Sequence, residues 1–196
     1  MGRQKYIKDK KGYSSGSRKN IKKTSHSSYN RETQKAIKKA QKEALSTSDL
    51  LQCLKSKSNF LGVFASDQLN SLHILSYPVF LITNIDTSTE NGSHWISIRI
   101  DRYRVEVFDS LGLDPSLWTS YPKSLFKFLT SYSHTHRLFL SPVLQPPNTY
   151  DCGLYCIYFI LYRRFVGFQT CYSKFSSNLT ANSSKLKQLL LHLYRK

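Results

Sequence analysis

The chain has 196 residues, room for one domain with an extension, since about 150 residues already bury a sizeable core. Its formal net charge is +17 and its pI ≈ 9.8, so acidic partners are implied, nucleic acid being the commonest. No leader pattern opens the chain and no apolar run is long enough to span a bilayer, which speaks against a secreted or membrane-embedded protein. In that setting the four cysteines, Cys53, Cys152, Cys156 and Cys171, are expected as free thiols.

The basic charge is uneven. Residues 1–45 carry 14 Lys/Arg against 3 acidic residues, whereas residues 46–196 carry 15 against 9. The composition divides the chain into a basic, mostly disordered tail, 1–45, and a folded domain, 46–196. Residues 1 to about 30 hold too few aliphatics to offset the entropy of ordering. Their paired cations, Lys10-Lys11, Arg18-Lys19 and Lys22-Lys23, fit a nuclear import signal, a phosphate-binding tail or a solvated charge run. Residues 31–44 have good helix formers but little apolar face, which predicts an exposed, marginal helix.

Within the domain, Ser48 is a candidate cap for a helix over Asp49–Lys57, with Leu50, Leu51 and Leu54 facing the core. Asn59–Phe64 reads as extended, and residues 66–75 fit no single pattern. Tyr77–Ile85 is an apolar strand followed by a polar loop. His94–Ile100 and Arg104–Asp109 alternate as half-buried strands joined by Asp101-Arg102-Tyr103, a hairpin connection. Pro115–Ser131, after the cap residue Asp114, predicts a helix, and Arg137–Leu144 a further strand. An apolar run begins at Gly153, and Ser183 or Ser184 would cap a last helix ending near Tyr194. There are no internal repeats. The pattern predicts an α+β fold: a central, mostly antiparallel sheet with flanking helices.

The chemistry gathers in Gln145-Pro146-Pro147-Asn148-Thr149-Tyr150-Asp151-Cys152-Gly153. Prolines and Asn hold a turn, and the apolar run then starts a buried helix, with Cys152 at its N-terminus. Unpaired amides and the positive dipole end gather there and favour a thiolate. Gln145 offers a side-chain amide for an oxyanion. A thiolate nucleophile needs a base and an orienting group. His94 and Asp109 would lie at the same end of the predicted hairpin, where a hydrogen bond would fix the imidazole tautomer. The bland readings are a buried structural cysteine, a satisfied strand histidine and a turn aspartate. Cys156 reads as core packing, because no other ligands stand at zinc spacing. His26, His73, His134, His136 and His192 read as structural or exposed. Trp95 reads as packing beside the histidine or shaping the substrate groove, and Asp151 as orienting the cysteine loop or a substrate amide rather than as catalytic.

The order His94-Trp95, Asp109 in Phe-Asp-Ser-Leu-Gly, Gln145 and Asp-Cys152-Gly resembles the adenain-type cysteine proteases, the adenovirus-type maturation enzymes, together with their relatives that remove SUMO and other ubiquitin-like proteins. The seven-residue separation of Gln145 and Cys152 resembles adenain; Asp-Ser-Leu-Gly resembles the SUMO proteases. The similarity spans about residues 46 to 196. It implies a cysteine endopeptidase with catalytic His94, Asp109, Gln145 and Cys152, needing no metal or cofactor, with DNA or a peptide as a possible activator. The partners implied are protein precursors of a capsid or core and, through the tail, double-stranded DNA. A monomer in the virion and host nucleus is expected, or a nuclear protein if the source is not viral. The alternatives are a deconjugating protease for SUMO or another ubiquitin-like protein, and a DNA-binding virion protein with secondary protease activity. One departure stands out. Adenain links its activating peptide through a cysteine upstream of the glutamine, and no cysteine lies between Asp109 and Gln145.

Overall fold

In the computed structural model, residues 23–112 and 121–193 are described. The element order is α1 (Lys23–Lys39), α2 (Thr47–Leu54), β1 (Phe60–Phe64), a 3-10 helix (Ser66–Ser71), β2 (Val79–Asn84), β3 (Trp95–Ile100), β4 (Arg104–Phe108), α3 (Lys123–Ser131), β5 (Arg137–Leu140), α4 (Cys152–Tyr162), α5 (Phe168–Tyr172) and α6 (Leu179–Leu193). The five strands form one sheet in the order β1-β2-β3-β4-β5. The central pairings, β2–β3 and β3–β4, are antiparallel, while β1 and β5 join the edges in parallel. The expected α+β architecture is present, with a mixed sheet.

Alternation along the strands divides the core into two layers. Phe80, Ile82 and Phe108 point to the face covered by α1, α2, α4, α5 and α6. Val79, Leu81, Ile96, Ile98, Val105 and Val107 point to the other face, against Leu125, Phe128 and Leu129 of α3 and Leu69 of the 3-10 helix. Helix α4 is apolar all round because it is sandwiched: every residue from Cys152 to Leu161 is buried. Phe159 stacks on Phe108 with ring centroids 4.7 Å apart. Each such large side chain contributes roughly 1.5–3 kcal/mol by leaving water. At the far end of α4, Arg163 grips Glu106 of β4 through Nε at 2.8 Å and Nη2 at 2.7 Å. Glu106 is fully buried and also takes Arg99 Nη1 at 3.4 Å, so its charge is paired from two sides, and removing Glu106 would leave both cations without it. This fork sets how α4 lies along β4, the strand whose end carries Asp109.

The sequence-based boundary at Ser46 does not match the packing. Helix α1 already runs from Lys23, and Thr33, Ala36, Ile37 and Ala40 are buried at i, i+3, i+4 and i+7. Three of these are small or polar, so the stripe carries little hydrophobic signal, yet small residues let α1 sit close to α2 and α6. The expected tail over residues 1–22, the cap Asp114 and the first part of the Pro115 helix lie outside the described residues.

Other boundaries shift for local reasons. Ser46, not Ser48, caps α2: its hydroxyl accepts from Asp49 N–H, and the Asp49 carboxylate accepts from Ser46 N–H at 2.7 Å. Helix α6 starts at Leu179, where Asn178 Oδ1 accepts from Ala181 N–H at 3.4 Å, so Ser183 lies inside it. Helix α5, one short turn closing a loop over Phe168 and Cys171, has no counterpart in the sequence reading.

Candidate active site

All four candidate residues stand at one end of the sheet. His94 immediately precedes β3 and Asp109 immediately follows β4. Because these strands are antiparallel neighbours, with Ser97 opposite Phe108, the two side chains meet where the strands end. His94 Nε2 donates to Asp109 Oδ1 at 2.7 Å, and both residues are buried. Asp109 is itself fixed. Its Oδ1 accepts from Leu111 N–H at 2.8 Å, and its backbone exchanges two hydrogen bonds with the Ser141 hydroxyl, at 2.9 and 2.7 Å.

Burial pulls the His94 imidazole toward neutrality, but hydrogen bonds to Asp109 and Cys152, and the charges of both, outweigh it and push its pKa up to about 9. With Nε2 held by Asp109, Nδ1 is the ring nitrogen left for the thiol proton. Cys152 opens α4, as its motif predicts, with Asp151 at the N-cap. Cys156, one turn later, is fully enclosed, and burial raises its thiol well above the usual range. That is the wrong environment for a nucleophile. Cys53 and Cys171 are buried thiols pushed up to about 11 and about 12 by burial.

Gln145 is buried in the loop before α4 and is held from several sides. Its Oε1 accepts from the Ser110 hydroxyl at 2.7 Å, and its Nε2 donates to the Thr149 carbonyl at 2.8 Å. Ser110 O also accepts the Leu144 and Gln145 backbone amides, both at 2.8 Å. The Ser110 donor decides which way the Gln145 amide faces. One Nε2–H is spent on Thr149, and the amide carries a second. The turn in between has Asn148 at φ 59°, a conformation Asn tolerates through its short polar side chain. Leu144 O accepts from Tyr155 Oη at 2.9 Å and Asn182 Nδ2 at 3.0 Å, tying the loop to α4 and α6. The Asp151 carboxylate does not cap α4. It accepts from Ser183 Oγ at 2.5 Å and lies 3.6 Å from Lys187 Nζ, both on α6.

Sequence reasoning missed Ser110, because a serine beside a turn aspartate has no periodic or compositional signature. It also missed Leu45, whose carbonyl accepts from Trp95 Nε1 at 2.7 Å. Trp95 lines a groove of about 590 Å³ between the α1–α2 linker, the end of β1 and the β2–β3 loop, with Val63, Asn84, Glu90 and Gly92 among its walls. Ser93 and Trp95, the chain neighbours of His94, both line the groove. Chemically, the arrangement offers a base held by a carboxylate, a thiol at a helix start and a fixed amide donor. Among the described residues no cluster of His, Cys, Asp or Glu could hold a metal ion, and no helix is long and apolar enough to cross a membrane.

The profile of the Ulp1 protease family, C-terminal catalytic domain, matches residues 78–182, more than half of the chain. Among solved structures, the ASFV pS273R protease is similar at 16% identity, covering 79% of this chain and 69% of its own, with a TM-score of 0.44. The SUMO protease Ulp1 with its catalytic cysteine oxidised to a sulfinic acid gives 17% identity over 85% of this chain and 95% of its own, TM-score 0.39. The Ulp1 protease domain in complex with Smt3, the yeast ortholog of SUMO, gives 20% identity over 71% and 69%, TM-score 0.38. No curated protein matches. The chain belongs to the Ulp1 protease family and is a cysteine protease.

Proposed function

We propose that Cys152 is the nucleophile of this protease, His94 its base, Asp109 the residue that orients His94, and Gln145 the oxyanion donor. The observation that carries this reading is the buried His94–Asp109 pair with its remaining nitrogen turned to the cysteine that opens α4. His94 Nδ1 takes the Cys152 proton, and the thiolate attacks the scissile carbonyl. The Cys152 backbone N–H and the second Gln145 Nε2–H hold the negative oxygen. The imidazolium then gives its proton to the leaving amine. A water, deprotonated by neutral His94, hydrolyses the thioester and restores the thiol.

For the substrate we propose a protein precursor bound as an extended peptide in the Trp95 groove, cut during virion maturation. The basic tail would hold the enzyme, as a monomer, on double-stranded DNA in the virion and host nucleus. The seven-residue Gln145–Cys152 separation and the cationic N-terminus support this. The second reading, deconjugation of SUMO or another ubiquitin-like protein, is favoured by the family match itself and by the Asp-Ser-Leu-Gly sequence at Asp109. The test is parallel incubation of the full chain with a reactive ubiquitin-like C-terminal probe and with capsid-precursor peptides. Cleavage of precursors without capture of the probe supports maturation; capture of the probe alone replaces it with deconjugation.

A further inference from the structure

The peptide unit between Leu45 and Ser46 is held at both ends. Its carbonyl accepts from Trp95 Nε1 at 2.7 Å, so it anchors the tryptophan that lines the groove beside His94. Its N–H donates to Asp49 Oδ2 at 2.7 Å. The same carboxylate oxygen takes Lys39 Nζ of α1 at 2.7 Å. A peptide unit is planar and stiff, so fixing one end orients the other. The Leu45 side chain, only 2% exposed, points the other way, into the start of the cysteine helix. A Cβ at Gly153 would lie 3.1 Å from both Leu45 Cβ and Leu45 Cδ1. Interiors packed this tightly transmit small displacements.

One residue therefore touches three things: the α1–α2 corner, the groove tryptophan and the turn that carries Cys152. Leu45, Ser46, Asp49 and Lys39 all precede the stretch matched by the family profile, which begins at residue 78, while their partners Trp95 and Gly153 lie within it. We propose that Leu45 is a positioning residue of this protease. Through it α1 and its linker set the groove wall and the first turn of α4, making α1 part of the enzyme. The inference rests on Cys152 being the nucleophile.

The test uses the full chain and three variants: Leu45→Ala, Trp95→Phe and Gly153→Ala, with Leu45→Ala/Gly153→Ala as the double variant. The readouts are kcat and KM on a peptide that fills the groove, and the rate at which iodoacetamide modifies Cys152, located by peptide mapping. Trp95→Phe keeps a ring but loses the N–H; KM is expected to rise about tenfold with kcat little changed. Leu45→Ala is expected to lower kcat and the alkylation rate by about tenfold, through misplacement of the thiol. Gly153→Ala is expected to damage the wild-type chain but to cost far less beside Leu45→Ala, where room has been made. Should Leu45→Ala fail to fold, Leu45→Val and Trp95→Phe carry the test. Folded variants with wild-type kcat and KM, or a Gly153→Ala penalty equal in both backgrounds, would overturn the inference. Alkylation of the wild type at another cysteine would overturn the reading of the site itself, a separate failure.

Discussion

Asp109→Asn keeps the volume of the side chain and removes its charge. In the intact site the Asp109 hydrogen bond and charge help push the His94 pKa from 6.5 up to about 9 against the pull of burial. Without the carboxylate the value should fall toward 6.5. The step that protonates the leaving amine needs the imidazolium, so the alkaline limb of kcat/KM reports this proton. At pH 8 an imidazole with a pKa near 9 is almost wholly protonated, while one near 6.5 is only about 3% protonated, a difference of about thirtyfold. At pH 6 both are mostly protonated and this part of the loss largely disappears. Stability follows the same sign. A pKa raised on folding contributes stability that is fully present below pH 6.5 and is lost as the pH rises through about 9. The wild-type Tm should therefore decline across that window more steeply than that of Asp109→Asn. The assay is a pH series of peptide hydrolysis and thermal melts on both proteins. An alkaline limb that stays near pH 9 in Asp109→Asn would refute the reasoning.

Further outcomes follow from the rest of the site and from the tail. Gln145→Ala should lower kcat by roughly a hundredfold with little change in KM, the usual effect of losing one oxyanion donor; Ser110→Ala should give a smaller loss of the same kind, reversed by Ser110→Thr if Thr restores the hydroxyl. An unchanged kcat with a raised KM would make Gln145 a substrate-binding residue only. Deleting residues 1–22, which carry eight Lys/Arg and one Asp, should leave short-peptide hydrolysis intact and weaken binding to double-stranded DNA. The logarithmic salt slope should shrink by about 0.9 for each phosphate that the shortened chain no longer neutralises, and an unchanged slope would remove the tail as the tether. Incubation with virion peptides under oxidising conditions should give no activating disulfide adduct at residues 110–145, where there is no cysteine; intact mass and activity together check this.

The parts of the site that repeat a pattern could be read from the sequence. Alternation placed His94 and Asp109 at one end of neighbouring strands, and the Pro146-Pro147-Asn148 turn before an apolar run placed Cys152 at a helix start. What could not be read depends on hydrogen bonds between distant segments. The Ser110 hydroxyl reaches a glutamine 35 residues away, and the Leu45 carbonyl reaches a tryptophan 50 residues away. Neither has a local signature. Helix α1 looked exposed because its buried stripe is Thr33, Ala36, Ile37 and Ala40, and small side chains pack closely without raising hydropathy. The parallel edge strands were equally hidden, since alternation gives faces but not strand direction.

The most direct measurement of the central claim pairs Cys152→Ala with Cys156→Ala. Alanine is tolerated at a helix start and fills most of the thiol's space, so both proteins should fold. The account predicts that Cys152→Ala abolishes peptide cleavage while Cys156→Ala remains largely active, and that iodoacetamide marks Cys152 in the wild type before any other thiol. Residual cleavage by folded Cys152→Ala, or first modification at Cys53, Cys156 or Cys171, would contradict it.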